Sequence, residues 1–236
     1  ALGRGAVSAI RAHNVDCSNV QARDGRMGLY FLAQGAGLRA SEIVYDRLGS
    51  SFAHMNAADF DWDILLRDAK MLHLSGITPA LGPQSAEAAL AAAKAAARMG
   101  IPISFDGNYR AMLWERWDSN PRAILSELIG HADILFGNHR DISLVLGQDF
   151  SVDGADRRRE AALAAFGAFP TLKRIASTAR HLVSADHHQL SARVDMRDSF
   201  AQTADVDVTG IIDRIGAGDA FAAGVLHAHF ADANAD

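Results

Sequence analysis

The chain has 236 residues, 49% hydrophobic and 22% charged, with a formal net charge of −5; this is enough apolar material for a full α/β core, without the basic excess of a nucleic-acid binder. Its one cysteine, Cys17, excludes an intramolecular disulfide framework and fits a reducing, cytoplasmic compartment. The longest alanine-rich stretch is broken by Lys94 and Arg98, and Ala1-Leu2-Gly3-Arg4 lacks an apolar signal core, so no membrane span and no secretory leader are expected and a small-molecule partner is favoured.

The first residue is not Met and the last two are Ala235-Asp236, so a single domain cut at both ends is expected over residues 1–236. Residues 4–13 carry apolar positions at helical spacing. Met27 to Leu32 and Glu42 to Arg47 then read as two strands joined by a glycine-containing loop, which makes residues 16–52 a small β lid. Tyr30 and Tyr45 have matching parity on those strands, and Arg47 shares the parity of Tyr45, so rings and guanidinium can occupy one face; lid packing would use the tyrosines equally well. Gly35-Ala36-Gly37-Leu38-Arg39-Ala40 satisfies a loose dinucleotide fingerprint, but a strand follows where that fingerprint needs a helix, and the match is rejected.

From about residue 70 a simple grammar repeats: short apolar run, polar turn, helical pattern. Met71 to Leu74 ends in Ser75-Gly76-Ile77-Thr78, where Ser75 and Thr78 read as helix caps. Ser85 is placed to cap the following alanine-rich helix, with Gly100 at its end. Ile101 to Phe105 ends in Asp106-Gly107-Asn108-Tyr109-Arg110, then Asn120-Pro121 opens a helix that Gly130 closes. Ala132 to Phe136 ends in Gly137-Asn138, and Arg174 to Ala176 ends in Ser177-Thr178-Ala179-Arg180. The Asp- and Arg-rich stretch Ser151 to Glu160 reads as a solvated loop and helix start, and His187-His188 as a hairpin tip. Runs spaced in this way imply βαβ units and a parallel sheet whose C-terminal strand ends share one edge, where ligands bind.

Several of these strand ends can carry chemistry. Asp106, Asn108 and Arg110, released together, can hold hydroxyl and carboxylate oxygens, the guanidinium fork being suited to bidentate anion binding. Asn138 and Asp141 share a helical face, which fits a metal or its waters and fits an N-cap with a first-turn acid equally well. The most informative stretch is Asp213-Arg214-Ile215-Gly216-Ala217-Gly218-Asp219-Ala220-Phe221. Its glycines allow a tight turn whose amides point at an anion, and a carboxylate beside such a turn suits a base accepting a proton during phosphoryl transfer; a plain glycine turn with a capping aspartate has the same letters. No Gly-Lys-Ser/Thr occurs, so this is not a P-loop, and His227 and His229 are two apart on a presumed helix, unlike a zinc pair.

Gly216-Ala217-Gly218-Asp219 with Asp213 upstream resembles the C-terminal signature of the ribokinase-like, or PfkB-type, carbohydrate kinases, although Arg214 stands where that family has a small residue or proline. The resemblance implies Asp219 as catalytic base, Gly216, Ala217 and Gly218 as anion hole, and Gly216 and Gly218 beside the nucleotide. Asp106-Gly107-Asn108-Tyr109-Arg110 with Leu113-Trp114 resembles the corresponding segment of 2-keto-3-deoxygluconate kinases within the family, and Leu29-Tyr30 and Tyr45-Asp46-Arg47 resemble its lid segments. By that likeness Tyr30, Tyr45, Arg47, Asp106, Asn108 and Arg110 are substrate-binding, the arginines favouring a sugar acid. Asn138 and Asp141 match the family's Asn-x-x-Glu, linked to Mg²⁺ and phosphate; the shorter Asp141 implies metal contact through water. Ser177, Thr178 and Arg180 fall on the nucleotide side.

What the resemblance implies for the whole is a three-layer α/β/α sandwich with a mostly parallel sheet and a β lid. It further implies ATP and Mg²⁺ as cofactors and 2-keto-3-deoxygluconate as the sugar acid phosphorylated at its 6-hydroxyl; charge and hydropathy point to no nucleic-acid or membrane partner, and the exposed lid edges invite pairing into a homo-oligomer without fixing the oligomeric state. A kinase for neutral fructose or ribose, and a non-catalytic sugar- or nucleotide-binding relative, are the alternatives.

Overall fold

The computed structural model describes residues 1–35, 39–40, 42–150, 155–213 and 215–231. Parts of the rejected fingerprint, the segment 151–154 and Arg214 therefore lie outside the described residues. The chain opens with helix α1 (Leu2–Arg11), which has no buried residue. Strands β1 (Leu29–Ala33) and β2 (Glu42–Asp46) follow and pair antiparallel, with Tyr30 opposite Tyr45. Among the described residues these two strands form a sheet of their own, apart from the main one.

After a 3₁₀ turn at Ala57–Asp59, the short helix α2 (Trp62–Leu66) is capped by Asp61, whose carboxylate accepts the Ile64 N–H at 3.1 Å. The main layer then builds in chain order: β3 (Leu72–Ser75), α3 (Ile77–Ala80), α4 (Pro83–Met99), β4 (Ile103–Asp106), α5 (Ala111–Trp114), α6 (Pro121–Gly130), β5 (Ile134–Phe136), α7 (His139–Leu146) and α8 (Ala155–Ala168). It is completed by β6 (Arg174–Leu182), β7 (His187–Asp195), β8 (Phe200–Gln202), β9 (Val206–Thr209) and α9 (Ala217–Phe230). Strands β3 to β6 lie side by side and parallel, whereas β7 is antiparallel to β6 and pairs with both β8 and β9.

Burial on both faces explains why β5 (Ile134-Leu135-Phe136) is apolar without alternation. Ile103, Phe105, Leu135 and Ile175 pack into one core with the alanine face of α4 and with Leu128, Ile142 and Phe166 of α6, α7 and α8. Ile134, Phe136 and Ala176 point to the other face, where Phe221, Ala222, Val225 and Leu226 of α9 cover them. The three layers expected from the resemblance are thus present, and no described helix is long and apolar enough to cross a membrane.

Three local expectations are corrected. Helix α4 starts at Gly82-Pro83, because proline is preorganised for the first helical position; Ser85 is buried inside the first turn and donates its hydroxyl back to the Gly82 carbonyl at 3.0 Å. Helix α6 ends at Gly130 as expected, and only its cap is displaced by one residue, to His131. Strand β6 does not stop at Ala176 but runs on to Leu182, because its far half pairs with β7 after β5 has ended. His187 and His188 lie in β7 rather than at the turn before it, and His188 is buried. Gly100 closes α4 as expected, at φ 71°.

Candidate active site

The parallel ladder continues past the strand ends. The Gly76 N–H donates to the Asp106 carbonyl at 2.7 Å, Gly107 to Phe136 at 2.8 Å and Gly137 to Ala176 at 3.0 Å. Each exit loop is therefore tied to the next strand, and the residues after β4, β5 and the middle of β6 are delivered to one edge. There they line a cleft of about 670 Å³.

One wall is the lid. Tyr30 and Tyr45 are cross-strand partners on its cleft side, Ile43 shares their face, and the Arg47 guanidinium lies over the Tyr45 ring at 5.0 Å, a cation–π contact that aims it along the cleft. The second wall is the β4 exit, with Asp106, Asn108, Tyr109 and Arg110. Asn108 holds a left-handed φ of 37°, rare for a residue other than glycine and most tolerated in asparagine and aspartate. Its side-chain amide donates to Ser75 Oγ at 3.1 Å.

The β5 exit forms the floor. Asn138 caps α7 by accepting the Arg140 N–H at 2.8 Å, while Asp141 accepts the Asn138 N–H at 2.8 Å. The sequence left a metal role and a capping role open for this pair, and the structure displays the reciprocal capping box. The Asp141 carboxyl lies against Gly107 and Gly137; a Cβ on either glycine would come within 3.4 Å of it. Burial raises the pKa of Asp141, offset in part by the Asn138 N–H and by Arg110. Asp106 is pushed up to about 6, first by burial and then by the nearby Asp141 charge.

The remaining wall joins β6 and α9. Ser177, Thr178 and Arg180 reach the cleft from inside the extended strand. Across from them Asp213 accepts the Ile215 N–H at 2.8 Å, Gly216 turns at φ 80° and α9 begins. The first helical bond nearby runs from the Ala220 N–H to the Gly216 carbonyl at 2.8 Å, so the amides of Ala217, Gly218 and Asp219, residues that line the cleft, have no acceptor within the helix. The Asp219 side chain is exposed there. Phe221, one turn in, packs edge-on to Phe136 at 6.1 Å and seats the start of α9 on the sheet.

All fifteen residues singled out from the sequence line this one cleft: Tyr30, Tyr45, Arg47, Asp106, Asn108, Arg110, Asn138, Asp141, Ser177, Thr178, Arg180, Gly216, Ala217, Gly218 and Asp219. Sequence reading passed over Ile43, which has the parity of Tyr45, and Arg140, which sits inside the Asn138–Asp141 pair. Phe136 and Phe221 are further lining residues that only their contact with each other reveals.

The first-turn amides of α9 and the Arg180 guanidinium are donors of the kind the phosphates of a nucleoside triphosphate require. Among the described residues no cluster of three or more His, Cys, Asp or Glu side chains is arranged to cage a metal. The Asp141 carboxylate suits an ion that keeps most of its waters, as Mg²⁺ does.

Titration of Asp106 gives a testable pH dependence. A carboxyl whose folded pKa is raised binds more protons folded than unfolded, so its contribution to stability is full below the ordinary 3.8 and is lost as pH rises through about 6. Asp106→Asn should therefore flatten the fall in stability between pH 4 and 6, read by denaturant unfolding at each pH. An unchanged slope would remove Asp106 as its source.

Comparison with known proteins agrees with this architecture. The family model described as pfkB family carbohydrate kinase matches residues 1–235. A 2-dehydro-3-deoxygalactonokinase of Haloferax volcanii is 32% identical over 148 residues, 63% of this chain and 46% of the relative, so the chain spans about half the length of that curated protein. The crystal structure of a 2-dehydro-3-deoxygluconokinase from Thermotoga maritima superposes with a TM-score of 0.91 at 32% identity, covering 99% of this chain and 71% of that one. A PfkB family carbohydrate kinase from Listeria grayi gives 0.89 at 31% identity, covering 99% and 70%. With a family match across nearly every residue and with the glycine turn, strand-end loops and lid converging on one cleft, this chain belongs to the pfkB family of carbohydrate kinases.

Proposed function

We propose that the protein is an ATP-dependent kinase that phosphorylates the 6-hydroxyl of a sugar acid, 2-keto-3-deoxygluconate being the substrate the cleft suits best. The observation that carries this reading is the placement of Asp219, beside the free amides of α9, in the same cleft as the lid pair Tyr45 and Arg47 and the strand-end Arg110. The relatives named for keto-deoxy sugar acids support it.

In the reaction, the Asp219 carboxylate takes the proton of the sugar hydroxyl as its oxygen attacks the γ-phosphorus of ATP, and ADP leaves. The amides of Ala217, Gly218 and Asp219 hold the charge on the moving phosphoryl group. Ser177, Thr178, Arg180 and Asn138 position the nucleotide, and Tyr30, Asp106 and Asn108 orient the sugar. Mg²⁺ bound through water near Asp141 would neutralise phosphate charge.

Arg47 and Arg110 recognise the carboxylate. Losing one charge-assisted hydrogen bond costs about 1.5–3 kcal/mol, roughly 10- to 100-fold. Arg47→Ala and Arg110→Ala should each lower kcat/KM for the sugar acid by roughly that factor and for a neutral sugar by much less; equal losses on both substrates would remove the carboxylate assignment. The direct test of the function is ADP release from the intact protein with keto-deoxy sugar acids, fructose, ribose and no sugar. Faster turnover on fructose or ribose would replace the acid reading with a neutral-sugar kinase, and no sugar-dependent release would leave a non-catalytic relative.

A further inference from the structure

Ser75 is the last residue of β3 and pairs in register with Asp106, the last residue of β4. Its hydroxyl oxygen accepts the Asn108 side-chain N–H at 3.1 Å and the Ile77 backbone N–H at 3.4 Å. The sequence suggested only a helix cap for this serine, and the bond to Asn108 joins residues 33 apart.

The surroundings make that bond directional. A Cβ on Gly76 would lie 2.0 Å from the Gly107 carbonyl oxygen, so the β3 exit touches the β4 exit backbone to backbone, and this approach needs glycine. The Gly76 N–H fixes the Asp106 carbonyl at 2.7 Å, and the Gly107 N–H donates to the Phe136 carbonyl at 2.8 Å, so the backbone leading to Asn108 is anchored on both sides. Asn108 follows these anchors at its left-handed φ of 37°, with its side chain tied to Ser75. Such an outlier in a cleft points to a function that needs it. With one lone pair of Ser75 Oγ engaged by the Ile77 N–H, the other accepts from Asn108 Nδ2, which leaves Asn108 Oδ1 available to the cleft that Asn108 lines.

We propose that Ser75 is a positioning residue that sets which end of the Asn108 carboxamide meets the sugar, so that Asn108 presents an acceptor and reads a substrate hydroxyl. This rests on the kinase reading above. It goes beyond that reading by assigning a specificity role to a residue set back from the cleft, through Asn108.

The test is a double-mutant cycle in the intact protein. Ser75→Ala should raise the KM for the sugar acid roughly 5- to 15-fold, the scale of one hydrogen bond, with kcat and the KM for ATP within about twofold. Ser75→Thr, which keeps the hydroxyl, should restore the sugar KM to within about threefold of wild type. In an Asn108→Ala background Ser75→Ala should have no further effect on that KM. A helix cap alone would instead lower the melting temperature without this selectivity. An unchanged sugar KM, equal rises for sugar and ATP, or additive effects in the cycle would each overturn the proposal. Should the wild type phosphorylate no sugar, the kinase reading falls separately. The positioning claim is then judged by the Asn108 side-chain NH₂ resonances, assigned by their loss in Asn108→Ala: they should move in Ser75→Ala and stay in Ser75→Thr, and unmoved resonances in Ser75→Ala would end it.

Discussion

Asp219→Asn is expected to lower kcat by roughly 10²- to 10⁴-fold, the range attributed to a positioned general base, while nucleotide binding stays close to wild type. The amide cannot accept the hydroxyl proton, yet it is nearly the same size as the carboxylate, and the Ala217 and Gly218 amides proposed to hold the phosphate are backbone groups left in place. The side chain is exposed on the first turn of α9, so its replacement should leave the melting temperature nearly unchanged. Steady-state ADP release and calorimetric titration with a non-hydrolysable ATP analogue measure the two quantities. Turnover within a factor of a few of wild type would show that another group takes the proton.

Asp195→Ala is expected to cost about 3–5 kcal/mol of folding stability, the scale for breaking a buried ion pair from one side. Asp195 is 3% exposed and Arg193 2%. Arg193 grips the carboxylate with two bonds, of 2.7 and 2.9 Å, and Arg159 of α8 adds a third at 3.0 Å. Removing the acid leaves the Arg193 guanidinium buried without its anion, with only the 3.1 Å bond to Gln202 and the Phe200 ring at 3.9 Å to hold it. Arg159 keeps its carbonyl partners Met196, Arg197 and Ser199. Urea unfolding of the two proteins reads the difference directly, and a loss below about 1 kcal/mol would mean that the site relaxes or admits water.

The same substitution bears on the cleft, because Asp195 pairs with Ile175 and Arg193 with Ser177 across the β6–β7 ladder. The part of β6 that carries Ser177, Thr178 and Arg180 extends past β5 and is braced by β7, so loosening that strand should also weaken nucleotide binding.

Much of the site was legible because its residues cluster in short segments whose chemistry is local. Gly216 to Asp219 and Asp106 to Arg110 each present their groups within one turn of chain, and the matching parity of Tyr30 and Tyr45 follows from the two-residue period of strands. Helix ends were legible where one residue type decides them, as at Gly100, and failed where two signals competed, as at Pro83 against Ser85. The run of β6 beyond Ala176 was not legible, because whether a strand continues depends on which neighbour remains to pair with it.

Strand–helix alternation was enough by itself to predict a parallel α/β sheet with one ligand-binding edge, since local conformation and burial pattern follow from the order of residues, and the resemblance carried by residues 216–219 and 106–114 pointed to the layered fold and the family that the family match then showed. Only the tertiary structure decided that Ser75 holds Asn108, that Asp141 lies against Gly107 and Gly137, and that the half-buried Asp106 and Asp141 lie close enough for the Asp141 charge to raise the Asp106 pKa. Apart from Asp141 against Gly137, those contacts join residues more than thirty apart, and their energies depend on distance and burial, which a linear sequence does not contain.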